Sequence, residues 1–226
     1  MSNRTFTRDA PGYAARTARL VPGLQDMYRM AGILLAEQVP ASGRVMVLGA
    51  GGGLELKIFI EMQPDWHFDG IDPSAEMIDQ AHRTLGDQAD RVSFTQGYID
   101  DAPMGPFDGA TCLLTLHFLP REERLHTLQE IARRLHPGAP LIVMHHSMPE
   151  GAERDVWLRR NAALMMSHGI PSEQAQKSIE TFKTRLPILT PREDMALLEE
   201  AGLTDIQLFY AAFTFKGWVG YRHSSA

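Results

Sequence analysis

The feature that most constrains this chain is a short apolar run that ends abruptly in glycines. Residues 45–53 read Val-Met-Val-Leu-Gly-Ala-Gly-Gly-Gly. Four consecutive apolar residues bounded by turn formers indicate a buried strand, and the apolar spacing over Leu54–Met62 predicts a helix. Because glycines carry no side chains, such a loop leaves backbone N–H groups open beside a helix amino terminus. The junction therefore predicts a ligand site between a strand and a helix.

An acidic residue closes the second apolar run. His67–Ile71 is followed directly by Asp72, about twenty residues past the last glycine, and in doubly wound α/β folds an acidic residue at that separation binds ribose hydroxyls. Tight structural turns also collect glycines, but a turn alone does not explain the position of Asp72. The loop and Asp72 together indicate a nucleoside-cofactor site.

The spacing of the glycines separates two classes of cofactor. A dinucleotide site needs G-x-G-x-x-G, which would require glycine at position 54, where the chain has Leu54. The loop instead has glycine at positions 49, 51 and 53, and this pattern resembles the first motif of class I S-adenosylmethionine-dependent methyltransferases. The resemblance implies S-adenosyl-L-methionine as cofactor, and a nicotinamide oxidoreductase is the more distant alternative.

Length and composition favour a single domain spanning residues 1–226. The net charge is −6, and no basic stretch exceeds a pair such as Arg133-Arg134, which argues against a nucleic-acid partner. The single cysteine, Cys112, lies in an apolar run, so we expect it to be buried in a protein of a reducing compartment. No uncharged run reaches membrane-spanning length. These features predict a cytoplasmic protein without a membrane partner.

From Val45 onward, predicted strands and helices alternate, which indicates a parallel sheet. A carboxy-terminal hairpin, Ile206–Phe215 and Trp218–Tyr221 joined through Lys216-Gly217, would add an antiparallel edge. The predicted fold is α/β, with a doubly wound, mostly parallel, seven-stranded sheet and amino-terminal helices over residues 1–40. The five predicted parallel strands are Val45–Leu48, His67–Ile71, Val92–Thr95, Gly109–Leu114 and Leu141–His145.

Residues 147–190 interrupt this alternation. Ala152–His168 and Ser172–Leu186 read as two helices inserted before the sheet resumes. They could simply pack on the domain, but the insertion leaves from the strand edge that carries the predicted site. We therefore interpret it as a helical lid over the active site, with a homodimer contact as a further use.

Other segments extend the methyltransferase resemblance along almost the whole chain. The segments similar to successive class I motifs are residues 45–53, 72–78, 107–109 and 135–138. More narrowly, residues 21–23, 114–119 and 213–218 resemble the carboxy-S-adenosylmethionine synthase group, whose enzymes serve tRNA wobble-uridine modification.

The resemblance implies a set of cofactor contacts. The glycine loop would line the amino-acid part, and Asp72 would accept hydrogen bonds from the ribose. Pro73 or Met77 would pack on adenine, and Ile99 would offer it a backbone N–H. The complete implied set is Gly49, Ala50, Gly51, Gly53, Asp72, Pro73, Met77, Tyr98, Ile99, Leu113 and Leu114, the last two through main-chain carbonyls near the methionine ammonium.

Three positions depart from the family pattern. Val47 and Tyr98 stand where acidic residues are usual, and Asp100 is then an alternative partner for the adenine amino group. Leu197 stands where the carboxy-S-adenosylmethionine synthase group is similar in having an arginine, which a carboxymethyl cofactor needs as a cation. Methyl transfer therefore ranks above carboxymethyl chemistry.

Methyl transfer from a sulfonium needs positioning of the acceptor, and a general base only when the acceptor is a hydroxyl or a protonated amine. His117, His145 and His146 follow strands whose carboxyl ends face the predicted site. Adjacent strand residues point to opposite faces, so only one of His145 and His146 can reach the cofactor. We take His117 and His146 as candidate catalytic residues.

The predicted function is methyl transfer to a small-molecule acceptor. A carboxy-S-adenosylmethionine synthase-like enzyme of tRNA modification and a non-catalytic S-adenosylmethionine-binding sensor stay open as alternatives. A metal site formed by these histidines with Asp100 and Asp101 is a further alternative, but nothing fixes their spacing. We therefore predict no metal.

Overall fold

A computed structural model describes residues 12–224, so residues 1–11 of the predicted amino-terminal segment lie outside the described part. The α-helices are α1 (Tyr13–Leu20), α2 (Leu24–Ala36), α3 (Leu54–Met62), α4 (Ala75–Leu85), α5 (Arg121–Arg134), α6 (Gly151–Ser167), α7 (Ser172–Thr184) and α8 (Pro191–Glu200). The strands are β1 (Arg44–Leu48), β2 (His67–Asp72), β3 (Val92–Gln96), β4 (Gly109–Leu113), β5 (Pro140–His146), β6 (Leu203–Ala212) and β7 (Phe215–Arg222).

The seven strands form one sheet in the order β3-β2-β1-β4-β5-β7-β6. The first five strands are parallel, whereas β7 runs antiparallel to both β5 and β6. Parallel neighbours need crossover connections, so helices cover the faces of the sheet, and every residue of the inner strands β4 and β5 is buried. The sheet confirms the predicted α/β fold class, including its antiparallel edge.

The turn of the hairpin differs from the prediction. It lies at Phe213 and Thr214, between the ends of β6 and β7, rather than at Lys216-Gly217. Lys216 and Gly217 are strand residues that pair with His145 and Met144 of β5. A Cβ at Gly217 would lie 2.8 Å from the Phe209 ring, so this glycine marks a close approach of a side chain to a strand.

Helix α2 covers one face of the sheet. Met27, Ala31 and Leu35 recur at helical spacing, are fully buried, and belong to the same apolar cluster as Val47 of β1 and Ile142 of β5. This face therefore supplies core packing, as its apolar spacing predicts. Cys112 in β4 is also fully buried, and burial raises the pKa of its thiol to about 12.

The inserted segment has small apolar clusters of its own. One joins Ala162 and Met165 of α6 to Ala175 of α7, and another joins Met148 and Leu158 to residues near the end of the insertion. The two helices therefore pack against each other as a unit above the sheet edge. Within residues 12–224, no helix has the length and apolar character needed to cross a membrane.

Candidate active site

The glycine loop between β1 and α3 folds back onto β2. The N–H groups of Gly49 and Ala50 both donate to the carbonyl of Ile71, at 2.8 and 3.0 Å, and Gly53 N donates to Ala50 O at 3.0 Å. Gly49, Gly51 and Gly53 all have positive φ, between 50° and 77°, which explains why glycines occupy these positions. The expectation of open N–H groups was wrong for these residues, because the tight turn uses the groups internally.

Asp72 joins this loop to the start of α4. Its Oδ2 accepts the N–H of Gly51 at 2.9 Å, and its Oδ1 accepts the N–H of Ser74 at 2.9 Å. Ser74 in turn caps α4 by accepting from Met77 N at 3.3 Å. A carboxylate oxygen can accept more than one hydrogen bond, so the chemistry of Asp72 also fits ribose hydroxyls. The carboxylate therefore fixes the loop at the position predicted for a nucleoside.

The segment after β4 passes against the same loop. A Cβ at Gly49 would lie 2.1 Å from Thr115 Oγ1, so only glycine permits this approach. The Thr115 hydroxyl donates to the Leu113 carbonyl at 3.0 Å, and Leu114 adopts a positive φ of 56°. Strained non-glycine backbone of this kind clusters at binding sites. The structure thus brings Leu113 and Leu114 beside the glycine loop.

The remaining residues implied for cofactor binding divide by exposure. Met77 and Ile99 are buried, whereas Pro73 and Tyr98 are exposed, Tyr98 to 57%. The N–H of Tyr98 donates to an Asp101 carboxylate oxygen at 2.9 Å, which fixes the turn after β3. These residues follow β2 and β3 at the carboxyl edge of the sheet, the same edge as the glycine loop.

His117 and His146 come together at this edge. His117 lies in a short 3₁₀ segment after β4, His146 ends β5, and their ring centroids are 4.9 Å apart. The His146 ring also stacks on Phe215 at 3.9 Å and meets Phe182 of α7 edge-on at 4.6 Å. Burial, reinforced by the neighbouring His145, lowers the pKa of His146 to about 3. His146 is therefore neutral at neutral pH.

His145 points to the other face of the sheet, as the strand geometry predicts. Its Nε2 lies 3.1 Å from Asp194 Oδ1, and Arg124 Nη1 donates to the same oxygen at 2.5 Å. All three side chains are at most 2% exposed. Burial alone would raise the pKa of Asp194, but His145 and Arg124 lower it below its ordinary value. This buried charged cluster was missed from the sequence, although Arg124 lies on the apolar face of α5.

Two positions at which the sequence departs from the family pattern are core positions. Val47 in β1 and Leu197 in α8 are both fully buried, in separate apolar clusters. Leu197 packs among apolar residues of α8 and the sheet, so its position supplies no cation to a ligand. The packing explains why charged residues are absent at both positions.

The candidate metal ligands do not converge. Asp100 contacts His126 Nε2 at 2.9 Å and not the candidate histidines. Among residues 12–224, no group of three or more His, Cys, Asp or Glu side chains is arranged to hold a metal ion.

An open groove of about 640 Å³, which includes Gly138 and Arg222, lies at the opposite, amino-terminal edge of the parallel strands.

Comparisons with known proteins identify the same architecture. Residues 45–138 match the methyltransferase domain family. The carboxy-S-adenosyl-L-methionine synthase of Chromohalobacter salexigens is 23% identical over 90% of this chain and 77% of that protein. The synthase of Campylobacter jejuni is 22% identical over 90% of this chain and 87% of that protein.

Solved structures show the same fold. A Nostoc punctiforme protein assigned as an O-methyltransferase superimposes with a TM-score of 0.68 at 18% identity, over 94% of this chain and 59% of that one. Human N-acetylserotonin methyltransferase in complex with S-adenosylmethionine superimposes with a TM-score of 0.60 at 18% identity, over 94% of this chain and 58% of that one. This chain therefore spans about three-fifths of each of those longer chains.

The fold, the glycine loop and Asp72 define a class I methyltransferase architecture. Residues 45–138 match a methyltransferase domain, and the relatives and solved neighbours support a class I S-adenosylmethionine-dependent methyltransferase whose cofactor is S-adenosyl-L-methionine.

Proposed function

We propose that this enzyme transfers a methyl group to a hydroxyl of a small-molecule acceptor. The observation that carries the proposal is the buried pair of His117 and His146, with ring centroids 4.9 Å apart at the sheet edge that holds the glycine loop. A methyltransferase needs a proton acceptor for a hydroxyl, whereas an already nucleophilic acceptor needs none. The likeness to a structure assigned as an O-methyltransferase agrees with this acceptor chemistry.

The cofactor would supply a methyl group already activated on a positively charged sulfur. Asp72 would hold the ribose, and the loop from Gly49 to Gly53 would make room for the amino-acid part. The carbonyls of Leu113 and Leu114 would accept hydrogen bonds from its ammonium. His117 and His146 would orient the acceptor hydroxyl and take its proton as the new bond forms, because correct positioning supplies most of the rate of such a displacement.

The insertion over residues 147–190 would act as a lid within a single domain of residues 1–226. Phe182 of α7 touches the His146 ring, so the lid helices reach the proposed reaction site directly. A closed lid would exclude water and strengthen electrostatic interactions inside the site. A homodimer contact through the insertion and a cytoplasmic location stay predictions.

The first experiment measures cofactor binding by calorimetry with S-adenosylmethionine, its demethylated product and NAD. The wild type should bind the first two compounds and not NAD. Asp72→Asn should weaken binding about tenfold or more, because hydrogen bonds to a charged group contribute about 1.5–3 kcal/mol. Asp69→Asn is the matched control, since Asp69 lies earlier in β2 and pairs with Arg44 at 2.7 and 2.8 Å.

The second experiment measures methyl release from labelled S-adenosylmethionine into phenols, alcohols, amines and thiols. Transfer to hydroxyl acceptors supports the proposal, and transfer only to thiols or unprotonated amines contradicts it. Cofactor binding without any transfer would favour the sensor alternative.

A carboxy-S-adenosylmethionine synthase-like enzyme of tRNA modification is the second candidate, favoured by the 23% identity over 90% of the chain to a carboxy-S-adenosylmethionine synthase. The core position of Leu197 counts against it. Mass spectrometry of the cofactor after incubation with small-molecule extracts would reveal a carboxylated product if this chemistry occurs.

A further inference from the structure

A line of buried polar side chains leads away from His146. Its Nδ1 lies 2.9 Å from the Thr214 hydroxyl, and that hydroxyl lies 3.2 Å from Asn161 Oδ1. Thr214 is fully buried and Asn161 is 4% exposed. The line therefore joins β5, the β6–β7 turn and lid helix α6 through buried side chains.

The direction of these hydrogen bonds follows from the far end of the line. Asn161 Nδ2 lies 3.8 Å from Met165 Sδ, which also faces the Ser178 hydroxyl at 3.5 Å. A thioether sulfur can only accept, so the amide nitrogen of Asn161 belongs on the Met165 side and its oxygen faces Thr214. The single hydroxyl hydrogen of Thr214 is then donated to Asn161.

This direction determines the tautomer of His146. Because the Thr214 hydroxyl has donated its only hydrogen, it can only accept from His146, so Nδ1 must carry a proton. A neutral imidazole has one N–H, so Nε2 keeps its lone pair. The ring is neutral at neutral pH because burial keeps its pKa at about 3.

We propose that Asn161 and Thr214 are positioning residues that hold His146 in the Nδ1–H tautomer, so that Nε2 accepts the proton of the acceptor hydroxyl. This inference rests on the proposed function. The acceptor oxygen forms a bond to the methyl carbon while the carbon–sulfur bond breaks and its electron pair stays on sulfur. The hydroxyl proton passes to His146 Nε2 only as the new bond forms, because the O-methylated oxygen is then a far stronger acid than the imidazolium, and it is released to water after the product leaves.

The hydrogen-bonded line from His146 through Thr214 to Asn161, called the relay below, also connects the lid to the reacting site. Asn161 belongs to α6, whereas Thr214 and His146 belong to the sheet. The hydrogen-bond line is complete only when the lid helix lies against the sheet, so lid docking and selection of the tautomer are one event. The hydroxyl acceptor would meet a correctly oriented base only beneath a docked lid.

The direct test is nitrogen-15 NMR of the protein labelled at histidine, with His146 assigned from the loss of its signals in His146→Asn. The wild type at pH 7.5 should show a protonated Nδ1 and an unprotonated Nε2. An Nε2–H tautomer in the wild type would overturn the proposal. This readout needs no acceptor, so it is independent of whether methyl transfer to a hydroxyl is found.

A variant series links the tautomer to catalysis. Thr214→Val removes the hydroxyl at nearly constant shape and should lower kcat at least about tenfold, because general-base catalysis depends on the correct protonation state. Its KM for S-adenosylmethionine should stay unchanged. Thr214→Ser retains the donor and acceptor order, so it should keep the wild-type tautomer and most of kcat.

Thr111→Val is the matched control for the same change at a fully buried threonine. Among the described residues Thr111 Oγ1 has no hydrogen-bond partner, and Thr111 lies in β4, outside the relay. It should keep wild-type kcat and the His146 tautomer. If circular dichroism shows that Thr214→Val is folded, and the variant retains wild-type kcat and the His146 tautomer, the relay has no positioning role. If it does not fold, the Thr214→Ser variant and the wild-type NMR spectrum decide.

Discussion

Two adjacent histidines at the end of β5 lie in opposite surroundings. His145 faces α5 and α8, where Arg124 and Asp194 are buried with it as a charged cluster. His146 faces the lid, where Phe182 meets its ring. Phe215 of β7 stacks on the same ring, and Nδ1 contacts the neutral Thr214 hydroxyl. One residue of separation along the strand therefore changes a charged environment into an aromatic and neutral one.

The two surroundings indicate different roles, with His145 in the packing of the domain and His146 in the proposed proton transfer. In the charged cluster, each buried charge depends on its partner, because an uncompensated buried charge is costly. Arg124 also donates to the Pro187 carbonyl at 3.0 Å, which ties the segment before α8 to α5. The ion pair and this hydrogen bond fix the geometry of the cluster. His146 is neutral and held by hydrogen bonds from one side, so it can exchange a proton without breaking an ion pair.

The largest expected effect comes from comparing His146→Asn with His145→Gln. An asparagine amide can replace the Nδ1 donor toward Thr214 while removing Nε2, and we expect kcat to fall about 10²–10⁴-fold, the usual contribution of a general base. His145→Gln retains a donor toward Asp194 and should keep wild-type kcat. Steady-state assays with an acceptor from the hydroxyl screen measure both. Equal losses of kcat in the two folded variants would contradict the division of roles.

The next effect is on stability and belongs to the charged face. Asp194→Leu leaves Arg124 buried without its carboxylate and should reduce the free energy of unfolding by about 3–5 kcal/mol, measured by urea denaturation. Arg124→Met combined with Asp194→Leu should recover much of that loss, because neither charge of the Arg124–Asp194 pair is then left without its partner. If Asp194→Leu is as stable as the wild type, the Arg124–Asp194 pair contributes nothing to the free energy of unfolding.

Most of the fold is predictable because its signals are local. The predicted bounds of the helices Leu54–Met62 and Ala75–Leu85 agree with the observed ones, since a left-handed glycine precedes the first and the Ser74 cap precedes the second. The hairpin turn was misplaced for a physical reason. A glycine in a turn and a glycine beneath a packed ring look alike in sequence, and only the distant Phe209 ring distinguishes them.

The candidate site was predictable only in part. The glycine loop and Asp72 follow from spacing within two strand–helix units, so the sequence reveals them. The relay was missed because its members lie 68 and 53 residues apart along the chain, from His146 to Thr214 and from Thr214 to Asn161. Asn161 also lies in a helix where a single polar residue carries no distinctive pattern. Partnerships over such separations arise from the tertiary fold.

The smallest expected effect is the pH dependence of the free energy of unfolding that His146 causes. The folded protein does not protonate His146 until the pH approaches about 3, whereas the unfolded chain takes up this proton near pH 6.5. The unfolded state therefore binds more protons between these values, and the free energy of unfolding decreases as the pH falls below 6.5.

Between pH 8 and pH 5, His146 alone should lower the free energy of unfolding by about 2 kcal/mol, because each pH unit contributes at most about 1.4 kcal/mol. Urea denaturation of the wild type and His146→Asn at both pH values isolates the effect. The variant should lose about 2 kcal/mol less than the wild type. His117 and His145 are present in both proteins, so the difference between the two proteins reports on His146. Equal losses in the two proteins would mean that the folded state protonates His146 as readily as the unfolded chain does. His146 would then carry charge in mildly acidic solution. That result would contradict the aromatic and neutral environment that Phe182, Phe215 and Thr214 form around its ring.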